Sequence, residues 1–143
     1  MTGPVPAWRD YQEEAAALFR ELGFTAETDV RVQGARAVHL IDVLGTYRHA
    51  GLTVTWVGEC KRWRARVGKA QVLTLRSVVE DIGADRGIIL AEHGFQAGAR
   101  QATERSNVVA TSLAALRRDA AATLAEQRLR GYPERLAGIS RDY

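Results

Sequence analysis

The sequence contains a single cysteine, Cys60, so no intramolecular disulfide can form and no thiolate zinc module can be built. Only 3 prolines and 13 glycines occur in 143 residues, which excludes a collagen-like or low-complexity chain. No apolar run approaches the roughly 18 residues that span a bilayer, and Met1-Thr2-Gly3-Pro4 lacks the basic and apolar blocks of a secretion signal. A cytoplasmic location is therefore expected. A strong excess of one charge is also missing: 20 Lys+Arg against 17 Asp+Glu leave a formal +3, too mild by itself to argue for nucleic acid. What is present, 46% hydrophobic and 26% charged residues, is the composition of a globular protein with one core. A chain of this length buries roughly 70% of its extended surface and has no room for two full domains.

The charge is unevenly placed. Lys61, Arg62, Arg64, Arg66 and Lys69 follow one another with no acid among them and with Trp63 interleaved. Such a stretch is either a solvated basic loop or a field able to hold a phosphate backbone.

Periodicity gives the organisation. Trp8, Tyr11, Ala15, Leu18, Phe19 and Leu22 recur at helical spacing and Gly23 stops the helix. Residues 25–32, 37–44 and 52–60 are predicted strands, the last two forming a hairpin. A helix over 66–82 closes at Gly83 before Gly87-Ile88-Ile89-Leu90-Ala91, a continuous apolar run that reads as a strand buried on both faces. A helix within 94–105, a short strand over 108–111 and a long helix capped by Ser112 follow. The order α-β-β-β-α-β-α-β-α predicts an α/β fold with a mixed sheet, an antiparallel hairpin joined to parallel crossover strands and flanked by helices. One domain over 1–130 and a tail or linker start over 131–143 are expected.

Two strands carry residues that a buried strand does not normally tolerate. Leu40-Ile41-Asp42-Val43-Leu44 encloses one carboxylate among aliphatics, and Gly58-Glu59-Cys60-Lys61 places Glu59 and Lys61 on one face by the two-residue period. Desolvating such charges costs several kcal/mol in order of magnitude unless they pair or ligate something. If Ala50-Gly51 is a two-residue hairpin loop, paired residues sum to 101 and Asp42 faces Glu59; a longer loop or a bulge would shift that register. Facing carboxylates repel unless a divalent cation lies between them, and a hard ion such as Mg²⁺ that also takes phosphate oxygens suits the pair. The chemistry implied is metal-assisted phosphodiester hydrolysis. Asp42 and Glu59 hold the ion, the Cys60 backbone carbonyl is a further candidate ligand, and Lys61 orients or helps deprotonate the attacking water.

Leu40-Ile41-Asp42-Val43 followed by Trp56-Val57-Gly58-Glu59-Cys60-Lys61-Arg62-Trp63 resembles the PD-(D/E)XK nuclease superfamily, specifically the Mrr-like restriction endonuclease catalytic domain. The likeness continues through residues 72–76, 81–87, 94–99 and 107–113 and covers roughly residues 11–116. It implies the restriction-endonuclease-like core, with Asp42, Glu59 and Lys61 as catalytic residues and Mg²⁺ or Mn²⁺ as cofactor. It also implies cleavage of double-stranded DNA in restriction of foreign or modified DNA, an antiviral defence role. Many relatives carry a Glu in the first helix that completes the metal site; here Gln12 or Glu13 stands near that position, although Glu13 and Glu14 also suit a helix's first turns for dipole reasons alone. Gln71, early in the helix after the catalytic strand, is a candidate for orienting the site.

Other residues carry less. His39 falls on the strand face opposite Asp42 and reads as a packed or hydrogen-bonded histidine; His49 fits a loop, and His93 lies where a strand meets a helix. Cys60 should point away from Glu59 and Lys61 as an inert thiol, and Trp63 either stacks on a base or covers the sheet. With Arg62, Arg64, Arg66 and Lys69 as DNA-binding candidates, the sequence reads as an endonuclease. The competing readings are a DNA-binding or effector module of a larger defence protein, a junction or repair nuclease of the same fold, and a protein-interaction domain using the last helix. A homodimer and a fused or separate targeting domain are expected partners.

Overall fold

The computed structural model describes residues 7–61 and 64–129. The chain divides into two compact units, Met1–Leu113 and Ala114–Tyr143. The first holds α1 (Ala7–Glu21), β1 (Thr25–Gln33), β2 (Val38–His49), β3 (Leu52–Lys61), α2 (Lys69–Ile82), β4 (Arg86–Ala91), α3 (Ala97–Thr103) and β5 (Val108–Thr111). Helix α4 (Leu113–Leu129) supplies the described part of the second. The element order is the one the periodicity predicts. Among the described residues no helix is long and apolar enough to cross a membrane.

The five strands form one sheet in the order β1-β2-β3-β4-β5. The first two pairings are antiparallel and the last two parallel, with α2 and α3 as crossovers, so the mixed sheet is as expected. The β2–β3 hairpin turns on Ala50 and Gly51, both with positive φ (54° and 79°), the backbone that a two-residue turn needs to match strand twist. Pairs from His49↔Leu52 to Val43↔Gly58 follow that turn, which is why β2 runs past Leu44 to His49.

One sheet face packs on α1. Tyr11, Ala15, Ala16, Leu18 and Phe19 are buried along its helical stripe, and the Phe19 ring meets Trp56 edge-on at 5.7 Å. Two glycines make room for it. A Cβ at Gly45 would stand 2.8 Å from Phe19 Cδ2, and one at Gly58 would stand 3.3 Å from Phe19 Cζ. The glycine ahead of Glu59 thus lets α1 lie close against the strand that carries the acid. On the other face Val72, Leu75 and Val79 of α2 join Val57, Ile89 and Val108 in the main core.

Two helix starts differ from expectation. Val67 is drawn into a parallel bridge with Phe95, through Val67 N to Gly94 O (3.0 Å) and Gln96 N to Val67 O (2.9 Å). These bonds claim the backbone ahead of both helices, so α2 begins at Lys69 and α3 at Ala97.

Candidate active site

Asp42 lies where two ladders let go. On the β1 side Thr28↔Val43 and Val30↔Ile41 pair, while Asp29 between them adopts φ 54° and is skipped. On the β3 side the ladder ends at Val43↔Gly58, and there the Asp42 carboxylate itself accepts the Cys60 N–H, at 2.9 Å from Oδ2. The register is the one expected from the Ala50-Gly51 loop. The carboxylate therefore sits at the mouth of the hairpin, level with Glu59.

Glu59 and Lys61 share a face of β3 and form an ion pair, Lys61 Nζ standing 2.9 Å from Glu59 Oε2 with both side chains mostly buried. Burial is the main influence raising both acids above the ordinary carboxylate range. For Asp42 the Cys60 N–H, the Lys61 ammonium and a hydrogen bond from Gln12 oppose it; for Glu59 the charge of Asp42 adds to burial, and Lys61 opposes. Two carboxylates that disfavour each other's charge, beside one ammonium, form a site whose electrostatic cost a cation would relieve.

Gln12 strengthens that reading. The residue is 4% exposed, its side chain hydrogen-bonds Asp42, and its Oε1 is buried without a partner. Since a carboxylate only accepts, the amide nitrogen is the donor, and the carbonyl oxygen is left uncompensated. An orphaned oxygen beside the Asp42 carboxylate is a donor in want of a hard cation. Among the described residues no cluster of three or more His, Cys, Asp or Glu side chains is suited to hold a metal. An ion here would rest on Asp42, Glu59 and neutral oxygens, from Gln12 and the Cys60 carbonyl. That set fits Mg²⁺, which binds through one or two carboxylates and keeps several waters.

The remaining candidates separate. Glu13 is exposed and accepts a hydrogen bond from Thr28 Oγ1 at 2.9 Å, so the helical step from Gln12 carries it away from Asp42. Gln71 is spent on α2: its Oε1 accepts the Gly68 N–H at 3.0 Å, a cap for the helix start rather than a contact to the acids. The Cys60 thiol is half-buried and pushed up by burial, then by Asp42 and Glu59, so it stays protonated and only its backbone can serve a hard metal. Arg64 and Arg66 are exposed between β3 and α2, and Lys69 is exposed as the first residue of α2; Arg62 and Trp63 lie outside the described residues. His39 is a structural histidine, its Nε2 2.7 Å from Asp81 Oδ2. His49 ends β2 stacked on Tyr47 rather than lying in a loop.

Sequence reasoning missed a bolt that fixes α1 at the site. The Tyr11 hydroxyl donates to Glu92 just beyond β4, and the Leu113 N–H reaches the same Glu92 oxygen at 3.1 Å. Burial and then Glu92 hold the phenol well above its usual range, so it remains a donor. Tyr11 precedes Gln12, and the bolt therefore sets the depth of the orphaned amide. Nothing local in the sequence points to a partner 81 residues away.

A family model described as restriction endonuclease, the Mrr catalytic type, matches residues 7–118. No curated protein matches the chain. Three solved structures share the fold. A protein of unknown function, AF1548, aligns with TM-score 0.63 at 19% identity, over 94% of this chain and 72% of its own. The DNA modification-dependent restriction endonuclease AspBHI gives 0.57 and 22%, over 85% of this chain and 34% of its own. MspJI restriction endonuclease, in complex with a 27-mer oligonucleotide, gives 0.51 and 18%, over 92% and 32%. This chain thus spans about a third of each of the two restriction enzymes. With a family match over most of the sequence and a sheet of the same fold, the chain belongs to the restriction endonuclease family of the Mrr catalytic type.

Proposed function

We propose that this chain is the catalytic part of a Mg²⁺- or Mn²⁺-dependent endonuclease that hydrolyses phosphodiester bonds in double-stranded DNA during restriction of foreign or modified DNA. The observation that carries the reading is the meeting of Asp42, the Glu59–Lys61 pair and the unpartnered Gln12 oxygen at the hairpin mouth. A bound divalent ion supplies Lewis acidity to the scissile phosphate and a more acidic water. The chain's own groups do the rest. Asp42 and Glu59 offer the charge that holds such an ion, and the Cys60 N–H keeps the Asp42 carboxylate aimed. Lys61, fixed by Glu59, offsets negative charge growing on the phosphate and orients the attacking water. Arg64, Arg66 and Lys69 stand exposed on the segment leaving Lys61, where phosphates of a bound duplex would meet them.

We take residues 1–130 as the nuclease domain. Because the two restriction enzymes of like fold are about three times longer, the reader of sequence or modification lies in a further domain or partner, and cutting both strands calls for two copies. The test is plasmid nicking by the pure chain, with methylated and unmethylated DNA, in Mg²⁺, Mn²⁺ or EDTA. Wild type cuts with metal alone, whereas Lys61→Ala and Asp42→Asn fold but do not cut. Cleavage by Asp42→Asn at the wild-type rate would place the chemistry elsewhere.

A further inference from the structure

At the other end of the parallel strands lies a cleft of about 610 Å³ that the nuclease reading does not use. Gly83 and Ala84, just before β4, and Arg105 to Asn107, just before β5, form one side of it, with Leu73, Arg76 and Ser77 of α2 across from them. Glu59 and Lys61 pair with Ile89 and Ala91 at the opposite ends of the same strands. At ~3.3 Å per residue, the run of β4 from Arg86 to Ile89 and Ala91 separates the two places by about 10–17 Å.

The cleft is cationic. Among the described residues neither the Arg76 nor the Arg105 guanidinium is paired with a carboxylate. The acid in its lining, Glu80, faces Arg36 at 3.9 Å. Arg76 Nη1 reaches the Ala102 carbonyl by a long 3.4 Å bond, which tethers the side chain and leaves most of its five donors uncommitted. Arg105 holds φ 56°, a left-handed backbone that a long side chain seldom adopts without cause. The hydroxyl of Ser77 and the amide of Asn107 add neutral donors, and Leu73 presents exposed apolar surface beside them. The volume lies within the range of small-molecule sites.

We propose that this cleft is a second, non-catalytic site that takes a phosphate monoester of nucleotide size. The phosphate is held by Arg76 and Arg105, and the ring lies against Leu73.

The test is calorimetric titration of the full chain in EDTA with adenosine monophosphate and, separately, inorganic phosphate. The expected result is saturable binding that weakens by about tenfold or more in Arg105→Gly and in Arg76→Gln, and is unchanged in Lys61→Ala. Glycine accepts the positive φ, so Arg105→Gly removes the guanidinium without threatening the fold, and circular dichroism checks that. Stronger binding of the nucleotide supports the ring contact; equal binding of both supports a site for phosphate alone. Absence of heat up to about 10 mM, affinities unmoved by both arginine variants, or loss of binding in Lys61→Ala would overturn the proposal.

Discussion

Replacing Gln12 with leucine tests the proposed metal site without touching a carboxylate. In EDTA two changes oppose each other. The variant loses a hydrogen bond to the charged Asp42, about 1.5–3 kcal/mol, and loses the uncompensated buried oxygen, whose cost is about 1–3 kcal/mol. The apo proteins should therefore unfold within about 1 kcal/mol of one another. Adding Mg²⁺ breaks the tie. At ten times its dissociation constant an ion bound only to the folded state stabilises by RT ln 11, about 1.4 kcal/mol, or about 5 °C in Tm for a domain of this size. A tenfold loss of affinity in Gln12→Leu reduces this to RT ln 2, about 0.4 kcal/mol and less than about 2 °C. Paired melts in EDTA and in graded Mg²⁺, followed by circular dichroism, read both numbers. Equal magnesium shifts in the two proteins would refute the role of the Gln12 oxygen, and a large deficit of the variant in EDTA would show that this oxygen is satisfied after all.

Three further outcomes follow from the packing and charge. Gly87→Ala should destabilise by about 1–3 kcal/mol in urea melts, because the new methyl would stand 2.7 Å from Val79 Cγ2 and 3.0 Å from Leu75 Cγ. Asp81, held down to about 2 chiefly by His39 and then by Arg36 and Ala37 bonds that outweigh its burial, contributes stability in full above the ordinary carboxylate value near 4. That contribution is lost as pH falls through about 2, so Asp81→Asn should be less stable than wild type at about pH 5 and the difference should shrink in acid; a constant difference would show that the charge is not responsible. Cys60, half-buried with its thiol pushed up, should alkylate with iodoacetamide at least about tenfold more slowly than a free thiol at neutral pH, and at the ordinary rate in urea.

The architecture and the β2–β3 hairpin register were legible because each rests on local pattern: apolar spacing for α1 and α2, the uninterrupted aliphatic run for β4, and the loop that sets the hairpin sum. Gly58 and Gly45 were not, since the space they leave for Phe19 exists only once α1 lies on the sheet. The choice between Gln12 and Glu13 was open in the sequence for the same reason. Neighbours on a helix point about 100° apart, and only the seating of α1, through Tyr11 and Glu92, puts Gln12 inward and Glu13 against Thr28. The start of α2 at Arg66 was misjudged because a bridge between Val67 and Phe95 outcompeted helical propensity.

The bond from the Cys60 amide to Asp42 bears on how an inert version of the enzyme should be made. A side chain that also stands in for missing sheet pairing is a poor place for truncation: alanine at Asp42 would strip the Cys60 amide of its acceptor and loosen the very strand that carries Lys61. Crystallographers and biochemists wanting a silent protein to trap uncut duplex would do better with a change at Lys61, whose ion-pair partner, Glu59, is a side chain.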